Sequence, residues 1–106
     1  MDREFPIDLS NTNLAFASLQ GLDFSNVTFD GALMCRMFLK QTNFSDASVV
    51  GTDLRFTEMV GARGLFAFQL LEADSLYKTN VPIDLISDSR IRVRLLTEYE
   101  VVELPE

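Results

Sequence analysis

Large apolar residues recur in this chain at every fifth position, a spacing that neither an α-helix nor an ordinary β-strand can use. The series runs Leu9, Leu14, Leu19, Phe24, Phe29, Met34, Leu39, Phe44, Val49, Leu54, Met59 and Gly64, and only Gly64 breaks it. Two residues earlier stand Ile7, Thr12, Ala17, Leu22, Val27, Ala32, Met37, Thr42, Ala47, Thr52, Thr57 and Ala62, none charged and mostly Ala or Thr. The slot between them is mostly polar: Asp8, Asn13, Ser18, Asp23, Thr28, Asn43, Ser48, Asp53, Glu58 and Arg63, with Leu33 and Phe38 as exceptions. Side chains share a face at a period of 3.6 in a helix and 2 in a strand. A period of five would walk the apolar residues around every side of a helix. Short extended segments separated by regular corners remove the conflict, with two positions of each unit facing inward and three outward.

Units such as TNLAF, ASLQG, TNFSD, ASVVG and TDLRF resemble the pentapeptide-repeat family, with its A(D/N)LXX pattern, over roughly residues 7–66. The resemblance implies a mainly all-β fold class: a right-handed quadrilateral β-helix of about three coils, four units to a coil, with a C-terminal cap or strand. On that reading residues 20 apart stack in columns, for example Leu9/Phe29/Val49 and Phe24/Phe44/Gly64. So short a stack exposes core and unpaired backbone at each open end, and its caps matter.

The chain divides as one domain: the solenoid over 5–68, a distorted last coil or cap over 69–86, and a strand or tail over 87–106. In the middle segment Leu71, Leu76, Val81 and Ile86 keep a spacing of five in a shifted register. A short helix over about 68–77 is the alternative, and Pro82 would end it. In SRIRVRLLTEYEVVEL, Ile91, Val93, Leu95, Thr97, Tyr99 and Val101 alternate with Arg92, Arg94, Leu96, Glu98 and Glu100. Period 2 with β-branched and aromatic residues predicts a strand. Paired antiparallel with a second copy about Leu96, it sets Arg92 against Glu100 and Arg94 against Glu98, a register that opposite charges favour. The expected alternatives are a homodimer through 89–104 and a strand covering the open end of its own coil.

Function is bounded by what the 106 residues lack. There is no His and one Cys, Cys35, which excludes His-dependent triads, His metal sites, an internal disulfide and Cys clusters. No Gly-rich phosphate loop or nucleophile elbow is present. We therefore expect no enzyme, no cofactor and no metal. The N-terminal MDREFPIDLS has no apolar stretch of the signal-peptide kind, and no apolar run is long enough for a membrane span, so the expected location is the cytoplasm. Cys35 reads as a bystander.

Nine Lys and Arg stand against 16 Asp and Glu, a net charge of −7. This disfavours direct nucleic-acid binding and suits a basic partner. One side of the coil carries Asp8, Asp23, Asp30 and Asp46; another carries Phe16, Leu33, Arg36, Phe38 and Phe56, with Phe16, Arg36 and Phe56 in one column. The acidic side is either a solvated face or an imitation of the phosphate backbone. Several pentapeptide-repeat proteins bind DNA gyrase and are proposed to mimic DNA, so the resemblance implies an inhibitor occupying the DNA site of a bacterial DNA-handling machine. A small acidic inhibitor of a CRISPR effector in an infected cell fits the same physics. The aromatic side is either covered by the tail or a contact surface for another protein, which makes a general interaction module the second reading and a purely structural solenoid the third.

Overall fold

The computed structural model describes residues 7–103, with side chains to residue 98. Its backbone is a coil of four sides. Single residues bridge in parallel to the residue 20 ahead, in four columns: Asp8/Thr28/Ser48, Asn13/Leu33/Asp53, Ser18/Phe38/Glu58 and Asp23/Asn43/Arg63. Amides run both ways between coils. Leu9 N–H donates to the Thr28 carbonyl (2.8 Å), and Thr28 N–H donates back to the Ile7 carbonyl (2.9 Å).

The corners explain the period. After each large inward residue the chain makes a four-residue turn, closed in most units by a bond such as Ala17 N–H to the Leu14 carbonyl (3.1 Å) or Ala47 N–H to the Phe44 carbonyl (3.0 Å). The third turn residue takes positive φ at 11, 16, 21, 26, 31, 36, 41, 46, 51, 56 and 61, the signature of a type II turn. The polar slot braces many of these corners. Its side-chain oxygen accepts the backbone N–H two residues on, from Ser10 to Asp8, Ala15 to Asn13, Ser25 to Asp23, Ser45 to Asn43 and Arg55 to Asp53. Short Asp and Asn side chains reach that amide best.

Inside the coil, Phe24, Phe29 and Phe44 form one aromatic cluster with centroids 5.4–5.8 Å apart. Met34, Leu39, Leu54 and Met59 are fully buried beside them. The small inward slot admits Thr because its hydroxyl finds a carbonyl: Thr42 donates to Leu39 (2.7 Å) and Thr52 to Val49 (2.8 Å), while Thr57 donates to Met34. Gly64 departs from the series because a Cβ there would lie 2.5 Å from the Ser45 amide nitrogen.

The expected fold class is corrected. Among the described residues there is no strand and no sheet, only isolated bridges, and the regular elements are three helices: α1 (Ala67–Leu70), α2 (Ile83–Ile86) and α3 (Ser89–Glu103). Two of every five residues are committed to a corner, so each side is too short to form more than a single bridge. The all-β, right-handed quadrilateral β-helix with a terminal strand is therefore replaced by a four-sided coil of turns and single bridges that ends in helices.

α1 takes the place of a further pass along the first side. Beyond it the register lengthens to 22, with Asp53 bridged to Ser75 and Glu58 to Asn80. Gln69, polar in an apolar slot, accepts the Phe66 N–H (2.8 Å) and donates to the Ala47 carbonyl (2.9 Å).

The terminal strand is also corrected: residues 89–103 are helical. Asp88 caps the helix, accepting Arg90 N–H at 2.8 Å. Ile91 is buried and Leu95 packs on the core, while Arg92, Val93, Leu96 and Thr97 are exposed. Ile91, Arg94, Leu95 and Glu98 thus form the inward stripe at helical spacing. The two-fold strand pairing of Arg92 with Glu100 and Arg94 with Glu98 about Leu96 has no strand to form on. Arg94 instead pairs with Glu98 of its own helix (2.7 Å); the Glu100 side chain lies outside the described residues. Arg94 donates to the carbonyls of Leu71 (3.0 Å), Ala73 (2.7 Å) and Asp74 (3.0 Å). Glu98 accepts the Leu76 N–H (2.8 Å) and the Ser75 hydroxyl (2.7 Å). One ion pair therefore satisfies the backbone groups that the end of a coil leaves open.

Removing Arg94 strands both those carbonyls and the half-buried Glu98. R94A is expected to cost roughly 2–4 kcal/mol in urea unfolding, and R94A/E98A less than the sum of the single changes; simple additivity would contradict this account of the cap. Acid acts through Asp88, whose carboxyl the hydrogen-bonding Arg90 side chain lowers from 3.8 to about 2. A lowered folded value stabilises above the ordinary carboxylate range and is lost as pH falls toward 2. D88N is therefore expected to lose less helical circular dichroism between pH 4 and pH 2 than the native chain.

Candidate binding surface

The four acids suggested as a phosphate mimic do not converge on one face. Asp8 and Asp23 sit in bridge columns on adjoining sides, Asp46 at the corner between those sides, and Asp30 at the next corner. Asp8 and Asp23 brace turns, and Asp23 also accepts Asn43 Nδ2 at 3.4 Å. Hydrogen bonds from Ser10 hold the Asp8 carboxyl below the usual carboxylate value. Asp30 ties one coil to the next, accepting the Ser48 hydroxyl and the Val50 N–H (3.0 Å). Asp46 alone of the four is exposed with no hydrogen bond to a described residue. The acids are largely components of corners and rungs.

The opposite corner has another composition. Its positive-φ positions are Phe16, Arg36, Phe56 and Lys78, with φ of 55–69°. The corner of Asn11, Gly31 and Gly51 and that of Asn26 and Asp46 use residues that tolerate this conformation, and the corner of Gly21, Gln41 and Gly61 does so at two of three places. A bulky L-residue there costs on the order of 1 kcal/mol. Only one corner bears that cost in every coil.

Its side chains form a ladder. The Arg36 guanidinium lies 4.2 Å from the Phe56 ring centroid. Phe56 meets Tyr77 edge to face at 5.4 Å, and Lys78 Nζ lies 5.6 Å from the Tyr77 ring. Phe16 stands at the top of the same corner, 68% exposed. Leu33 (45% exposed) and Phe38 (51%) flank it as the apolar exceptions in the polar slot, and Phe56 itself is 38% exposed. The described part of α3 leaves Phe16, Leu33 and Phe38 exposed. Tyr77 and Lys78 were not among the expected site residues, because the two-residue change of register hides their place in the column; aligning Asp53 with Ser75 would have shown it. A second aromatic feature missed from sequence is the exposed, stacked pair Phe66 and Phe68, at 5.9 Å.

Charge follows the same division. Arg55 is paired with Asp53 at 2.7 Å, which lowers the Asp53 carboxyl. Arg36 and Lys40 are exposed and have no acidic partner among the described residues. Between the lower end of the ladder and α3 lies an open groove of about 650 Å³, lined in part by Asp53, Phe56, Asp74, Tyr77 and Glu98. Among the described residues no group of Cys, Asp and Glu converges as metal ligands, and no helix is long and apolar enough to cross a membrane.

A family model of pentapeptide repeats, in eight copies, matches residues 7–32 and 23–57. The register, corners and polar slot described above account for the repeat that it detects. Residues 7–57 are thus pentapeptide repeats, a module of the protein-interaction or structural solenoid kind. No curated protein and no solved structure matches the chain.

If the polar slot serves the corner, an amide or a carboxylate should serve equally well there. N13D, at the corner where Asn13 accepts the Ala15 N–H, is expected to keep the melting temperature of the native chain, whereas N13A should lose about 1 kcal/mol in thermal or urea unfolding. Equal stability of N13A and N13D would show that the corner does not depend on this oxygen.

Proposed function

We propose that this protein is a non-enzymatic interaction module that engages another protein through the corner ridge of Phe16, Arg36 and Phe56, with Leu33 and Phe38 beside it. The observation that carries this reading is the run of bulky residues at positive φ along one corner only. Strained backbone that persists in one place is a reason to look for a role there. Exposed aromatic and Arg side chains are also the residues that dominate protein interfaces. Nothing in the packing of the coil requires them, since Gly and Asn do the same backbone work at the other corners.

The finer alternative is acidic mimicry of DNA toward a basic machine such as gyrase or a CRISPR effector. Its support is the net charge of −7 and Asp46, exposed with no hydrogen bond to a described residue. Against it stands the use of Asp8, Asp23 and Asp30 within the coil.

One comparison separates the readings. Proteins captured from bacterial lysate by the native chain are compared with those captured by F16G/F38S and by D8N/D23N/D30N/D46N, with and without competing duplex DNA. The ridge reading expects loss with the first variant, retention with the second and no competition by DNA. Loss with the second variant and displacement by DNA would establish mimicry instead. Because Gly suits positive φ, F16G alone is expected to melt no lower than the native chain, so capture lost with that single change would not reflect unfolding.

A further inference from the structure

The ridge has a chemistry that narrows its partner. The Arg36 guanidinium carbon lies over the Phe56 ring, 4.2 Å from its centroid, and a guanidinium over a ring face still has N–H donors for a second group. No described residue accepts a hydrogen bond from that side chain. An Arg so presented matches a carboxylate, which it can engage with two parallel bonds. Lys40, exposed and without an acidic partner among the described residues, stands at the next corner of the same coil. Around them Phe16, Leu33 and Phe38 are 68%, 45% and 51% exposed.

The same columns limit what can lie there. Below Leu33 and Phe38 stand Asp53 and Glu58. Glu58 bonds to Asn80 Nδ2 and the Val60 N–H, and Asp53 to Arg55. These acids would repel a continuous phosphate backbone, on a chain whose total charge is already −7. A discrete carboxylate set among apolar side chains avoids them. We infer that the ridge binds an acidic segment of another protein, with a Glu or Asp carboxylate forked by Arg36 and adjacent apolar residues packed on Phe16, Leu33 and Phe38. This rests on the ridge being the contact surface and goes on to specify what it contacts.

The test is an NMR titration of the full chain with a soluble peptide carrying Glu and Phe between Ser and Gly spacers. Parallel titrations use the same peptide with Gln for Glu, the same peptide with Lys for Glu, and a short oligo-dT. The Glu peptide is expected to shift the Arg36 Nε–H and the amides of Phe16, Leu33 and Phe38, and to bind about 10-fold or more tightly than the Gln peptide, the ratio for one charge-assisted contact. R36Q should remove that preference while R36K retains part of it. Equal binding of the Glu and Gln peptides would overturn carboxylate recognition and leave the ridge as an apolar contact surface. Binding of oligo-dT or the Lys peptide at the ridge in preference to the Glu peptide would also overturn it. Peptide shifts confined to Asp8, Asp23, Asp30 and Asp46 would overturn the ridge itself as the contact surface.

Discussion

Everything in this molecule depends on the chain turning a corner every five residues. A corner takes two residues, one at positive φ, and leaves three for a side. That length permits a single bridge per side, so the coil is held by amides reaching the next layer rather than by strands. It also fixes which residues look inward. From Phe24 to Ala62 the large residue before each corner and the small one after it are both buried, because the corner bends the chain around the coil axis and keeps both on its inner side. The Phe24, Phe29 and Phe44 cluster and the Thr hydroxyls bonded to carbonyls follow from that alternation of large and small.

The same constraint assigns the acids. An Asp or Asn in the polar slot caps the corner that follows, so much of the acidity on the coil is structural. Much of its acidic surface is a by-product of turn chemistry, and Arg36 stands exposed at the corner whose residues are not Gly, Asn or Asp. A repeat scaffold leaves its outward positions open to choice, and the proposed contact surface lies at the corner of Phe16, Arg36, Phe56 and Lys78. Physical cost marks the place: a conformation that Gly adopts freely is held by bulky side chains instead.

The period, the inward positions and the columns were legible in the sequence because they follow from spacing alone. The C-terminal element was not. In SRIRVRLLTEYEVVEL the β-branched alternation and the helical stripe of Ile91, Arg94, Leu95 and Glu98 coexist, and the choice between them is made by what the stripe meets. Arg94 and Glu98 read as partners in either case; as a helix they close the open end of the coil, and as a strand they would have joined two copies. The backbone groups at Leu71, Ala73, Asp74 and Leu76 that decide the matter lie about 20 residues away. The aromatic ridge was half legible. Phe16, Arg36 and Phe56 share a column by arithmetic, but Tyr77 and Lys78 join them only through the shifted register beyond α1, and the positive φ that makes the column unusual has no local sequence signal.

Partners are proposed to meet the protein at this corner. Hydroxyl-radical footprinting of the chain, free and bound to a captured partner, reads that contact directly, since Phe side chains are oxidised in proportion to their exposure. Contact at the corner should protect Phe16, Phe38 and Phe56 in the complex and leave the surroundings of Asp8, Asp23 and Asp46 unchanged. Unaltered oxidation of those three rings, with protection on the acidic side, would contradict it.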